Sequence, residues 1–523
     1  MKRKYSALHF NFRSSIIHYY MALSACIVLI ASLSSCDNVS KGRYKFQSES
    51  LHWLQFRGPN ASGIAPENAD PPIHFNADTN LLWKTDLMAG WSSPCIVNDK
   101  IFLTCFDDAD SLLYTVALNR KNGEVLWRDS VPLLDFYDLH PVNGYANPTV
   151  ASDGERIFSL FPGFGVVAYS LTGARDWEYK FKSVSRIRWG GASSPVVLDS
   201  LLILDISIFE DPRILALDCE TGDTAWTIRD QDHRWGSVMS RATPVVWNDL
   251  VILHHSNEII AFNLQNGTPE WWLSTLTSSV GTPVIKDDIL YVNTWTNMGE
   301  KSLQGKFIPF VDLVSEVDKN GNGKVERDEL SDDMKVFQRP ESPDEPGSSM
   351  PLNREWVFSG SDKNRDGSLE ESEWDNLWEM AFKIFGDHGM LALPIEGSGE
   401  RPVTDILWKI ADDTPETPSP LVINKNVLFI KSGGIMTVID QDSGEVVHKK
   451  RIGAAGSYLS SPILAGNRIY TCSYNGTVTV LSAEDFSILA HNKLKEKIGA
   501  SPVVVDDILY IRTDKHLYAF RDQ

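Results

Sequence analysis

Two twelve-residue stretches carry the sharpest chemistry in the chain. Asp318 to Glu329 and Asp362 to Glu373 both follow D-x-[DN]-x-[DN]-G-x5-E, the pattern of an EF-hand loop. A hard cation such as Ca²⁺ takes six to eight oxygen ligands, and this spacing delivers them from one turn of chain. Positions one, three and five are Asp318, Asn320 and Asn322 in the first loop, and Asp362, Asn364 and Asp366 in the second. Position seven offers the backbone carbonyl of Lys324 or Ser368, position nine is Glu326 or Glu370, and position twelve is a bidentate Glu329 or Glu373. Gly323 and Gly367 permit the bend, and Val325 and Leu369 are placed to pair across the two loops. The pattern predicts two Ca²⁺ sites. The second is expected to bind more tightly, because Asp366 stands where the first loop has Asn322. Flanking runs, Phe307 to Val317 and Trp374 to Phe385, have helical apolar spacing.

Other reactive groups are sparse. A basic lead (Lys2, Arg3, Lys4, Arg13) and an apolar run from Met21 to Leu33 precede Leu33-Ser34-Ser35-Cys36. The run is too short for a comfortable membrane span. Leu-Ser-Ser-Cys resembles a bacterial lipobox, which implies acylation of Cys36; an ordinary signal peptide with an incidental cysteine is the alternative. Cys95, Cys105, Cys219 and Cys472 remain. Cys95 and Cys105 flank one predicted hairpin, and both a disulfide and free thiols stay open there. No C-x-x-C, G-x-S-x-G, phosphate-loop or H-E-x-x-H motif is present. His254 and His255 are neighbours in a predicted strand, so they face opposite ways and cannot share a metal. The net charge of −20 argues against nucleic acid as a ligand.

The elements that must carry these groups are repeats. Leu215 to Trp226 reads as a strand, a tight turn at Thr221-Gly222 and a second strand ending in a large aromatic. The pattern recurs at Ala117…Gly123…Trp127, Ala168…Gly173…Trp177 and Ala261…Gly267…Trp271, with weaker copies at Val438…Gly444…His448 and from Val480 to Leu489. A small residue, a proline and a β-branched run recur beside them. These begin at Ser93, Asn147, Ser194, Thr243, Thr282, Ser419, Ser461 and Ser501, with prolines 39 to 54 residues apart except for a gap of 137 after Pro283. Four short strands per such period predict an eight-bladed β-propeller. The last unit lacks its outer strand, and Leu81 to Lys84 can supply it and close the ring.

The Ala…Thr-Gly…Trp hairpins resemble the pyrroloquinoline-quinone (PQQ) type propeller repeat. With the lipobox and eight blades, the chain resembles the BamB-like family of propeller lipoproteins. That resemblance implies a quinoprotein-like, all-β fold, a bacterial cell-envelope location with a lipid anchor (outer membrane, periplasmic or surface-exposed), and envelope protein partners such as the outer-membrane β-barrel assembly machinery. It does not by itself separate scaffold from enzyme. Many quinoprotein dehydrogenases resemble one another in a vicinal Cys-Cys pair under PQQ. This chain has none, so PQQ is not expected.

The domain reading is a signal peptide over 1–35, a tether and irregular lead-in over 36–80, blades over 81–293 and 389–523, and a small α-helical EF-hand pair inserted at 294–388. Within the lead-in, Trp53 to Pro59 is expected to cap the ring. The insertion leaves blade five between its second and third strands, on the face that carries the longest connections between blades. Trp91, Arg188, Trp189, Arg234 and Trp235 lie there, and aromatic and arginine side chains are what interface anchors look like. Plugging the channel mouth is their alternative role. The leading expectation is a non-enzymatic, Ca²⁺-ordered scaffold; a PQQ dehydrogenase and a Ca²⁺-dependent glycan-binding or glycan-processing surface protein are the alternatives.

Overall fold

Each blade begins where a hydroxyl residue hands over to a short β-branched strand against the central channel. In blade three the strands are Val196–Leu198, Leu201–Asp205, Arg213–Asp218 and Thr224–Arg229, all antiparallel and paired in that order. The inner three are buried, and the outer one alternates exposed and packed residues. The computed structural model describes residues 52–136, 139–140, 142–182, 189–229, 241–278, 280–296, 308–338 and 349–523, all within one unit, Phe46–Gln523. Cys36, Arg188, Arg234 and Trp235 lie outside the described residues.

Eight such sheets form the ring. Blade eight takes its outer strand from the N-terminal side: Leu81–Asp86 pairs antiparallel with His516–Phe520. Blade one gains a fifth strand, because His52–Trp53 pairs with the inner strand Cys95–Val97. Blade four gains Gly399–Glu400, parallel to its outer strand.

The hairpin turns explain how neighbouring blades lock. Gly222 has φ +74°, and Asp218 accepts hydrogen bonds from the Glu220 and Thr221 N–H groups. A Cβ at Gly222 would lie 2.6 Å from the ring of Trp177 in the previous blade, so only glycine lets that ring lie flat on the turn. The Trp177 indole then donates to the Cys219 carbonyl at 3.0 Å. Trp127, Trp226 and Trp408 repeat the arrangement on Gly173, Gly267 and Gly444. Trp83 makes the same contact on Gly123, across the closure of the ring.

Blade two departs from the expected register. Its inner strand is Ala151–Ser152, so Thr149 occupies the hydroxyl position and Val150 stands where the other blades have proline. The Asn147-Pro148 pair lies two residues upstream of the register. Cys95, Cys105, Cys219 and Cys472 are all buried free thiols, which settles the open question at Cys95 and Cys105. Cys95 pairs in register with Phe102, and Cys105 lies beside the Arg512 guanidinium.

The lead-in closes one end of the channel. From Trp53 on blade one it crosses to blade four, where Asn60 exchanges two hydrogen bonds with the backbone of Val246, and returns to blade seven, where Ile64 bridges Leu464. Arg57 is fully buried in this crossing and donates to the carbonyls of Pro420 and Pro462 on blades six and seven. Burial pushes its pKa down to about 9, which leaves it protonated near neutrality.

Candidate functional site

Two places could do chemistry. The first is the channel. The backbone N–H of Ser93 donates to the Thr149 hydroxyl, and the relay continues through Ser194, Thr243, Thr282, Ser419, Ser461 and Ser501 before returning to Ser93. All eight bonds measure 2.9 to 3.1 Å. One residue per blade thus spends an oxygen lone pair on its neighbour's backbone, and the ring becomes a continuous belt. All eight hydroxyl residues line a cavity of about 210 Å³.

Trp91, His140, Trp189, Tyr458, Arg241 and Glu416 add to the wall of that cavity, and Phe56 from the lead-in also lines it. His140 stacks on Trp189 with ring centroids 4.1 Å apart, and the Arg241 guanidinium lies 5.6 Å from the same indole. Burial pushes Arg241 down to about 10, partly offset by the charge of Glu416. Trp91 rests on Gly499, where a Cβ would come within 2.7 Å of its ring, and leans on Tyr474. Of the residues expected either to anchor a partner or to plug the channel mouth, Trp91 and Trp189 line the channel cavity. Spacing could not reveal Tyr458 and Glu416, which belong to no motif, and it marked Asn147 only as the start of a repeat.

The second place is the insertion, which leaves blade five between Ile289–Asn293 and Met390–Pro394. Its helices are α1 (Phe310–Val317), α2 (Glu355–Ser361) and α3 (Glu371–Asp387). They share a core with Trp295, Val325, Leu369, Trp374 and Trp378. Val325 pairs with Leu369, so the two loops lie back to back. At its root His388 accepts from the Thr296 N–H through Nδ1 at 2.9 Å, which leaves Nε2 to donate to the Thr414 hydroxyl at 3.0 Å.

Each loop is held from within by its own terminal carboxylates. Asp318 accepts from the N–H groups of Gly321 and Gly323, and Asp362 from those of Asp366 and Gly367. Glu329 accepts from Lys319 and Glu326, and Glu373 from Lys363, Asn364 and Glu370. The turn is thus wound so that the first and last carboxylates both bend inward. Among the described residues, no group of three or more His, Cys, Asp or Glu side chains is arranged to hold a metal. Any cation here leans on asparagine and backbone oxygens as well, and that donor set is hard oxygen throughout. Asn320 and Asn322 turn their amides to Glu326. Ser368 donates to Asp366 at 2.7 Å. The Lys324 ammonium crosses to the second loop, 2.9 Å from Asp366 and 2.7 Å from Glu370.

The family model described as outer membrane protein assembly factor BamB matches residues 114–300 and 400–523, on either side of the insertion and over more than half of the chain. The chain belongs to this family. Among solved structures, BamB from Moraxella catarrhalis is 12% identical, with a TM-score of 0.49 over 84% of this chain and 98% of that one. A europium-containing methanol dehydrogenase is also 12% identical, with a TM-score of 0.49 over 91% and 99% of the two chains. The computationally designed protein Ika8 is 10% identical, with a TM-score of 0.49 over 84% and 99%. No curated protein matches the chain at a significant level. Among the described residues no helix is long and apolar enough to cross a membrane.

Proposed function

We propose that this BamB-family propeller is a scaffold of the bacterial cell envelope, lipid-anchored through Cys36, whose insertion binds Ca²⁺ and whose long-connection face docks a protein partner. The family membership supports the envelope setting, since the family model is described as an outer membrane assembly factor. The observation that carries the scaffold reading is the placement of the insertion. It leaves a ring of eight sheets through the loop between strands two and three of blade five. In an antiparallel four-stranded blade that loop opens on the same side as the connections between blades, the side to which Trp91, His140, Trp189 and Arg241 belong. Aromatic and arginine side chains gathered on one face suit recognition.

In this reading Asp318, Asn320, Asn322, the Lys324 carbonyl, Glu326 and Glu329 hold one Ca²⁺. Asp362, Asn364, Asp366, the Ser368 carbonyl, Glu370 and Glu373 hold the other. The ion supplies charge neutralisation that orders the loops; the chain's own contribution is the inward-wound turn. No catalytic step is assigned. The test is proximity cross-linking in intact cells that carry either the whole protein or a variant in which residues 294–388 are replaced by a short glycine linker. Envelope partners recovered with the whole protein and lost with the variant support the reading. Partners that persist unchanged without the insertion would refute the role given to that face.

A further inference from the structure

The hydroxyl belt does more than tie the blades together. In each belt residue one lone pair accepts a backbone N–H, which leaves the O–H and the second lone pair outside the belt, and all eight residues line the cavity. Such groups offer both donors and acceptors and carry no charge. Asn147 also lines this cavity, and its carboxamide Nδ2 and Oδ1 are both buried without a partner among the described residues. A buried amide left unpaired at both ends costs several kcal/mol in principle, and native proteins rarely keep one without a reason. Here the reason is not the fold. Blade two already supplies its belt hydroxyl from Thr149, so Asn147 is extra to the repeat.

We propose that the channel cavity is a binding site for a neutral, polyhydroxylated molecule the size of a single sugar ring. The cavity volume, about 210 Å³, suits a small ligand and lies below the range usual for drug-sized ones. Aromatic surface from Trp91 suits the apolar C–H face of such a ring, while the belt and Asn147 supply polar groups suited to its hydroxyls. An anion is disfavoured, because Glu416 lines the same cavity as Arg241 and offsets its charge. The lead-in, anchored by Arg57 and Asn60, closes one end of the channel, so the ligand would rest against Phe56. The cavity shares Trp91, His140, Trp189 and Arg241 with the face proposed to dock a partner, but a small ligand there needs no protein partner.

The experiment is titration calorimetry on the purified whole protein with glucose and N-acetylglucosamine as neutral probes, and citrate and PQQ as anionic ones. Saturable heat with a neutral sugar is expected, weakened about tenfold in Asn147→Leu, the loss that follows when one good hydrogen-bonded contact is removed. The melting temperature of Asn147→Leu should match or exceed that of the wild type, since the amide has no protein partner to lose. If that variant fails to fold, Trp91→Phe serves instead, with the same expected direction. Neutral-sugar binding that both substitutions leave unchanged would overturn the proposal. So would an absence of neutral-sugar binding at millimolar concentration, or saturation by citrate or PQQ alone.

Discussion

The indole of Trp83 donates to the backbone carbonyl of Arg120 at 3.0 Å, and these two residues belong to the last and first blades, which meet at the closure of the ring. Trp83 completes blade eight, whereas Arg120 lies in the hairpin turn of blade one. The same indole packs on Gly123, and Thr85 donates to the Gly123 carbonyl at 2.7 Å. The closure thus uses the device that joins blades one to four, so the ring has no special seam. Trp83→Ala should destabilise the protein by about 3–5 kcal/mol, the usual cost of removing a buried aromatic. A chain beginning after Ala89 should lose cooperative unfolding, because blade eight would expose an edge. Urea denaturation of both variants checks this; a truncated chain that melts like the intact one contradicts the closure.

Acid should weaken the fold before most carboxylates titrate. Burial pushes His254 and His388 down to about 4. An unfolded histidine, with a pKa near 6.5, takes up a proton that these two refuse when folded. Stability from each is fully present above pH 6.5 and is lost as the pH falls from about 6.5 through about 4. The loss approaches about 3 kcal/mol per histidine at full protonation. Glu496 adds a later step. Burial acts to raise its pKa, but hydrogen bonds from Thr513, His516 and Tyr518 outweigh that and hold it below its ordinary value. Its contribution is therefore present above the ordinary glutamate range and disappears below it. The urea midpoint should drop clearly between pH 7 and pH 5, and less steeply in His388→Gln. An unchanged midpoint over that interval would refute the assignment.

The two Ca²⁺ loops should differ, and Lys324 should tune the difference. Its ammonium sits on Asp366 and Glu370, oxygens that the second loop needs for a cation. Side-chain hydrogen bonds from Ser368 and then from Lys324 hold Asp366 far below the ordinary aspartate range. Calorimetric titration of the whole protein should resolve two unequal affinities, and Glu373→Gln should abolish the stronger. Lys324→Met should raise that stronger affinity several-fold by freeing both carboxylates. Equal sites, or no binding at millimolar Ca²⁺, would dismiss the loops as Ca²⁺ sites.

Repeats make most of the ring legible in the sequence. Gly222 and Trp226 advertise themselves because a positive φ admits few residues and an indole needs a flat partner. The sequence could not say that the glycine of one blade receives the tryptophan of the previous one, since that contact spans about forty residues. Blade two departs from the repeat for a related reason. Asn147-Pro148 imitates the Ser-Pro signal, and only the strand register shows that Thr149 holds the belt position. Trp91 and Trp189 were recognisable as site residues, but their direction, into the channel, depends on loop geometry that no periodicity encodes. Tyr458 and Glu416 carry no motif, and the place of Asn147 beside them emerges only from convergence in space.

The docking face can be separated from the channel by mutating beyond the cavity. If the long-connection face binds a partner, removal of Ca²⁺ should weaken capture while the ring stays folded, because the loops share a core with α1, α2 and α3 rather than with the blades. The hairpin-turn face provides the control. Lys121 and Glu220 are exposed in the turns of blades one and three, and reversing both charges disturbs no packed residue. Capture of cross-linked envelope proteins should therefore survive Lys121→Glu with Glu220→Lys and fall at least tenfold in chelator, about 1.4 kcal/mol of binding. Circular dichroism in chelator must show the β-sheet signal intact for the loss to count as an interface effect. Partners that survive chelator and disappear on the charge reversals would move the interface to the opposite face and overturn the scaffold reading as stated.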